Sequence, residues 1–320
     1  MRAIAESGAH VVVSGGAAEL AAGALVLKAM QRANIRLDGV SVIGWGEELS
    51  SAALATWLRG VPALVVIGGR SAQPLLADVP QLTLFDDPAS NEGEPLSARA
   101  FRLGETLSSL ADATWCAAAG MAATVAEVAP PHALVERALH RHARAELAQL
   151  AELLDGATRG PEPAREMLAA LEMLAAAPDP RRFLDSEPGQ LLLRNVVLVR
   201  QQTALACKLT PRAGFGVLVV EYDSPCRIED LVAQRWRGLR PGTAVLVANH
   251  GGVAGHVAVA ARAALPEALE RLHSVVGEAG HALLPPPAWS QLLSRLGVDA
   301  ATVERLYETT PLVERHAALN

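Results

Sequence analysis

The sequence predicts two α/β domains: an N-terminal parallel-sheet domain with a helical annex, linked by a helix to a smaller C-terminal domain with a mixed sheet. Three observations carry this expectation. Short β-branched runs alternate with helical apolar periodicity through the first 130 residues, a wholly helical stretch follows, and strand signals return from about residue 215. Repeated βα units imply a parallel sheet with helices on its faces. Size agrees with them: 320 residues, 51% hydrophobic and 19% charged, with a mean hydropathy of +0.23, can bury two sizeable cores.

Taken in order, His10 to Ser14 is the first strand, ending at Gly15-Gly16 and followed by a helix with apolar positions at Leu20, Ala24, Leu27 and Met30. Val40 to Ile43, Ala63 to Ile67 and Leu82 to Phe85 are further strands, with a helix expected at Leu49 to Leu58. Leu107 to Ala123 reads as one buried apolar helix. From 132 to 208 the pattern is helical, cut at Gly160-Pro161-Glu162-Pro163 and at Pro178-Asp179-Pro180. Leu191 to Cys207 is the expected bridge to the second domain. There Phe215 to Glu221, Thr243 to Ala248 and His256 to Ala261 read as strands, Ile228 to Arg237 as a helix, and Asn249 to Gly255 as a hairpin loop. A helix through Leu265, Leu269, Leu272 and Val276, then two short amphipathic helices after Pro285-Pro286-Pro287, complete the chain. The expected divisions are 1–130, 131–208, 209–284 and 285–320.

Charge narrows the function classes. With 28 basic and 34 acidic residues, a net charge of -6 and a pI near 5.9, no global basic field steers nucleic acid to the chain. Nearly every cation is an arginine, the better bidentate phosphate ligand, since Lys28 and Lys208 are its two lysines. No apolar run reaches the roughly 18–20 residues a bilayer span requires, and the expected location is cytoplasmic, with no membrane partner. Cys116, Cys207 and Cys226 are too few and too dispersed for a disulfide framework or a zinc cluster.

Two glycine turns stand at predicted strand ends. Ser14-Gly15-Gly16 and Gly68-Gly69-Arg70-Ser71 would share the sheet edge where open α/β sheets bind ligands, and backbone N–H groups there can hold an anion. Neither has the spacing of a dinucleotide fingerprint or a Walker lysine, and each also reads simply as a tight βα turn. His250 and His256 flank Gly251-Gly252 at a hairpin tip, where a solvated histidine is the ordinary outcome. The run Arg137, His140, Arg141, His142 and Arg144 falls on the polar face of a helix.

The second half carries a resemblance. Ile228-Glu229-Asp230-Leu231-Val232-Ala233, the strand Val245 to Asn249, then Gly255 to Arg262, and then Gly280-His281-Ala282 resemble the C-terminal domain of the DHH phosphoesterase superfamily. That resemblance implies that Arg262 and His281, with Gly280 beside them, are ligands of a substrate phosphate. A fork of N–H donors at a strand end suits that task, although a salt-bridged surface arginine would look the same in sequence.

The first half is similar to the same superfamily in layout but departs from it in chemistry, the likeness running over about residues 8 to 284. Where the family places a histidine, an aspartate and a second aspartate two residues later at the end of the first strand, this sequence has His10, Ser14 and Gly16. The metal-bridging aspartate falls near Ile67-Gly68-Gly69 and is missing. The Asp-His-His triplet corresponds to Asp86-Asp87-Pro88, and a later acidic position to Glu127. Two hard cations each need several oxygen or nitrogen donors, and His10, Asp86, Asp87 and Glu127 are the residual candidates.

The expectation is therefore a divergent DHH-type phosphoesterase-like protein without the two-metal centre, with no firm cofactor. It would hold a phosphorylated ligand, a nucleotide or a single-stranded nucleic-acid end, in an interdomain cleft through Arg262, His281, Gly280 and the turns at Ser14, Gly15, Gly16, Gly68 and Gly69. The alternatives are an active phosphodiesterase or exonuclease using manganese or magnesium with rearranged ligands, and a non-catalytic interaction module. Because superfamily members often dimerise, a homodimer is a further open alternative.

Overall fold

The structure is a computed structural model that describes residues 8–44, 56, 58–68, 79–84, 94–124, 132–214, 216–263 and 280–298. The chain divides into two compact units, residues 1–196 and 197–320.

In unit 1, β1 (Ala9–Ser14), β2 (Leu37–Ile43), β3 (Leu64–Ile67) and β4 (Gln81–Leu84) form one sheet in the order β2-β1-β3-β4, every pairing parallel. β1 is buried along its whole length, which explains its unbroken Val11-Val12-Val13 run. α1 (Ala17–Arg32) follows β1 and is buried on nearly all sides because its small residues let neighbours approach. Against it pack α2 (Leu96–Glu105), α3 (Thr114–Thr124), α5 (Arg144–Arg159) and α6 (Pro163–Ala176), and α4 (Ala133–Leu139), α7 (Pro180–Leu184) and the first part of α8 (Glu187–Ala206) extend the same core. The opposite sheet face holds a smaller cluster of Val12, Ile43, Leu58, Leu64 and Val66. The expected helical annex thus shares the core of the parallel sheet.

The helix expected from Leu107 begins instead at Thr114. The intervening turn is held by polar contacts that compete with helix formation: Glu105 accepts from the Leu110 N–H, Ser108 Oγ donates to Ala29 O at 3.2 Å, and Arg32 forks onto Asp112 at 2.6 and 2.7 Å. The expected helices at 49–58 and around 265–276, and the last amphipathic helix, lie largely outside the described residues.

Two polar side chains enter the unit 1 core. Lys28 is 5% exposed and donates from Nζ to Ala177 O at 2.6 Å, just past the last turn of α6. Glu166 on α6 is 6% exposed beside Asn195 of α8, and its Oε2 lacks a hydrogen-bond partner among the described residues. Burial pushes the Glu166 carboxyl above its ordinary range. An acid raised in the folded state contributes stability below its unfolded pKa, and that contribution is lost as pH rises through the folded value. Glu166→Gln is therefore expected to raise Tm at pH 7 by about 2–4 °C and to change it little at pH 4, in thermal unfolding followed by circular dichroism.

Unit 2 is built on a mixed sheet in the order β5-β6-β7-β8-β9, comprising β5 (Arg212–Gly214), β6 (Val217–Tyr222), β7 (Ala244–Val253), β8 (His256–Arg262) and β9 (His281–Leu284). β6 and β7 are parallel, connected through α9 (Glu229–Leu239), and the other pairings are antiparallel. One face packs Val220, Val245, Val247 and Ala260 against Val232 of α9 and Val199 of α8. The other packs Val219, Leu246 and Val259 under Trp289 and Leu292 of α10 (Pro286–Arg295). The loop expected over Asn249 to Gly255 is shorter than its sequence suggests. β7 continues to Val253 with a register irregularity after Asn249, and Ala254-Gly255 make the turn, with Gly255 at φ +73°.

Two polar hubs, one buried and one half-buried, organise this unit. Asn249 is fully buried. Its Oδ1 accepts from the N–H groups of Ser224 and Gly251 at 3.0 and 3.1 Å, and its Nδ2 donates to Cys226 O and Glu229 Oε1, each at 2.9 Å. On the other sheet face Glu221 pairs with Arg212, accepts from Trp289 Nε1 at 2.8 Å and lies 3.3 Å from His250 Nε2.

Candidate functional site

In unit 1 the strand order places β1 between β2, reached through α1, and β3, so the chain reverses direction across the sheet between β1 and β3. Ligands of open α/β sheets bind outside the carboxyl ends of the strands at such a reversal. Ser14, Gly15, Gly16 and Gly68 all stand there. Gly15 and Gly68 have φ of +99° and +87°, which a Cβ would strain. A Cβ at Gly68 would also overlap the Ser14 carbonyl oxygen. Ser14 is buried, and its Oγ donates to Ile67 O at 3.5 Å.

The same edge holds a carboxylate that sequence reasoning passed over. Glu19, in the first turn of α1, folds back so that Oε2 accepts from the Gly16 N–H at 2.8 Å, the reciprocal half of a capping box. The signal was the spacing Gly16-x-x-Glu19. A glycine N-cap is a weak signal, because it offers no side chain to the first turn.

His10 is not at this edge. It is the second residue of β1, four positions before Ser14 and about 13 Å away at the rise of a strand. Its Nε2 lies 2.6 Å from Ser41 Oγ, and its ring packs where a Cβ on Gly39 would stand. Burial holds the imidazole below its usual range against the raising influence of Asp38. Gly69, Asp86, Asp87 and Glu127 lie outside the described residues.

The superfamily likeness implies divalent metals, so the donor set matters. At the strand edge the described residues supply the Glu19 carboxylate, already bonded to a backbone N–H, and a serine hydroxyl whose proton is directed at a carbonyl. Among the described residues no three of His, Cys, Asp and Glu come together as metal ligands. Two hard cations need several such donors each, and this described set does not fit them.

Unit 2 carries the other candidate. Arg262 ends β8 and His281 begins β9, where Ala260 pairs with His281. Arg262 Nη2 donates to His281 Nε2 at 3.3 Å, and Nη1 lies 3.4 Å from Ala261 O. Gly280, at φ +69°, makes the approach feasible, because a Cβ there would stand 3.1 Å from Arg262 Nη1. Arg262 is half-buried, and its guanidinium is fixed beside the turn by these two contacts, with N–H donors left to meet an anion.

An all-parallel sheet with its reversal at β1, in one chain with a mixed sheet bearing this Arg-His pair, defines a two-unit α/β fold. Solved structures give the fold its particular form. The chain aligns with the exonuclease RecJ bound to manganese over 98% of its length and 94% of that chain, at 17% identity and a TM-score of 0.58. RecJ of Thermus thermophilus in complex with manganese is similar over 98% of this chain and 57% of that one, at 16% identity and a TM-score of 0.61. The chain therefore spans little more than half of the Thermus protein. The chain shares the fold of these RecJ structures, a two-unit α/β architecture in line with the sequence resemblance. No family model matches the sequence, and no curated protein sequence matches it. Among the described residues, no helix is long and apolar enough to cross a membrane.

Proposed function

We propose that this chain is a divergent DHH-type phosphoesterase-like protein that lacks the two-metal centre and binds a phosphorylated ligand, either a nucleotide or a single-stranded nucleic-acid end. The observation that carries this reading is the Arg262-His281 pair over Gly280, with the guanidinium preorganised at a strand end. The neighbouring fold belongs to an exonuclease, which supports a nucleotide or strand end as the ligand class. With a net charge of -6, recognition would rest on local contacts rather than on long-range attraction. The turns at Ser14, Gly15, Gly16, Gly68 and Gly69 form a separate ligand surface on unit 1.

Calorimetric titration with a nucleoside monophosphate tests the reading. Arg262→Ala is expected to weaken binding by about 10- to 100-fold, the loss of charge-assisted hydrogen bonds. Arg262→Lys should recover little of it, because an ammonium cannot reproduce the fork. Equal affinity in wild type and Arg262→Ala would overturn the reading. Micromolar binding of two manganese ions, with hydrolysis of short oligonucleotides abolished by Asp86→Ala, would establish instead a manganese-dependent phosphodiesterase built on His10, Asp86, Asp87 and Glu127.

A further inference from the structure

Every large apolar side chain that stands exposed among the described residues falls in one stretch of chain: Leu191, Val197 and Leu205 on α8, and Leu209 in the turn that closes it. Val197, 46% exposed, and Leu205, 58% exposed, lie on the same side of the helix as Arg194 and Gln201, because spacings of three and four residues return to one face within an arc of about 80°. Lys208 follows in the closing turn, where its N–H donates to Leu205 O at 3.1 Å. All five side chains are exposed, while Leu192, Val196, Val199 and Ala206 on the opposite side are buried. The helix thus shows solvent a stripe about 21 Å long, with Val197 and Leu205 between a cation at each end.

Charge decides what fits over this stripe. Residues 188–220 contain Arg194, Arg200, Lys208 and Arg212 but no aspartate or glutamate, in a chain whose net charge is -6. Arg212 pairs with Glu221, whereas the side chains of Arg194 and Lys208 make no ion pair or hydrogen bond among the described residues. A second copy of the chain is a poor match, because an antiparallel pairing sets Arg194 against Lys208 and a parallel one sets like on like. A face that lies on a bilayer draws on aromatic side chains, and a face that binds a nucleic-acid strand stacks bases on them; this stripe has none.

We propose that the outer face of α8 is a docking surface for an amphipathic helix of a partner protein, with apolar residues at the centre of that helix and carboxylates toward both ends. Val197 and Leu205 are the anchors, and covering them removes apolar surface from water. Arg194 and Lys208 meet the terminal carboxylates, which sets the register and excludes basic partners. The surface uses neither Arg262 nor His281 and stands apart from the reading above.

The probe is a fluorescent synthetic helical peptide with leucines at every third or fourth position between glutamate-rich ends, compared with a matched peptide in which lysines replace the glutamates. Binding to the full chain is followed by fluorescence anisotropy. The glutamate-ended peptide is expected to saturate and the lysine-ended one to remain unbound. Leu205→Asp should weaken the first by at least about tenfold, the loss of an anchor. The double variant Arg194→Glu, Lys208→Glu should invert the preference between the two peptides, and it decides the matter if Leu205→Asp does not keep its circular dichroism spectrum. No saturation by the glutamate-ended peptide, equal binding of both peptides, or indifference to these variants overturns the proposal. A dimer in sedimentation equilibrium that Leu205→Asp dissociates overturns it in favour of a second copy, and binding to phosphatidylserine vesicles that the same variant abolishes overturns it in favour of a membrane surface.

Discussion

Asn249→Ala is expected to lower the unfolding free energy by about 4 kcal/mol, seen as a shift of the urea midpoint at unchanged slope. The size follows from what the amide leaves behind. Ser224 and Gly251 lose the acceptor of their N–H groups, Cys226 O loses a donor, and the Glu229 carboxylate, 2% exposed, loses its amide partner. Each buried orphan costs about 1–3 kcal/mol, and relaxation around the small cavity recovers part of the sum. Burial already pushes the Glu229 carboxyl upward, with the Asn249 hydrogen bond among the influences opposing that rise. The near-isosteric Asn249→Asp should be at least as harmful at neutral pH, because it sets a second carboxylate against Glu229, and should recover stability as pH falls and the pair takes up a proton. A loss below 1 kcal/mol for the alanine variant would mean that Asn249 is not the hub its four bonds indicate.

Gly68→Ala is expected to cost about 3 kcal/mol. The left-handed backbone accounts for roughly 1–2 kcal/mol, and overlap of the new methyl with the Ser14 carbonyl oxygen and Glu19 Cγ supplies the rest. Gly60 provides the internal control. It has the same φ of +87°, but nothing lies within 4 Å of where its Cβ would be. Gly60→Ala should therefore show the conformational part by itself, and the difference between the two variants in denaturant unfolding measures how tightly the β1 and β3 ends close on each other. Equal losses would show that the crevice has slack.

Particular elements explain what the sequence could and could not reveal. β1, β3, β6 and β8 are legible because buried strands concentrate β-branched or small apolar residues, and α5 and α6 because their apolar residues recur at helical spacing. β5 and β9 escape notice. They are three and four residues long, half-buried for the most part, and depend on neighbours for their pairing. The Leu107–Ala113 turn fails for another reason: its residues are apolar enough for a helix, while the groups that prevent one, Arg32 and Ala29, come from elsewhere in the chain. Among the site residues, Gly15 and Gly68 are legible as glycines at strand ends. The remoteness of His10 from that edge follows from its position at the start of its strand. Asn249 reads as an ordinary turn residue, and its burial follows from tertiary packing by Ser224, Cys226 and Glu229, which lie 25, 23 and 20 positions away in the chain.

The Glu221 hub has a consequence for how unit 2 is made. Trp289 reaches Glu221 across 68 positions of sequence. At about 5–20 residues per second, translation separates the two by roughly 3–14 s. Val219 throughout that interval, and Leu246 through its later part, are already synthesised but lack the lid that Trp289 and Leu292 later supply. Unit 2 is thus a late-closing unit whose nascent sheet stays open to wrong partners until its last described helix arrives, and the order of synthesis, as much as the final packing, sets its exposure to aggregation.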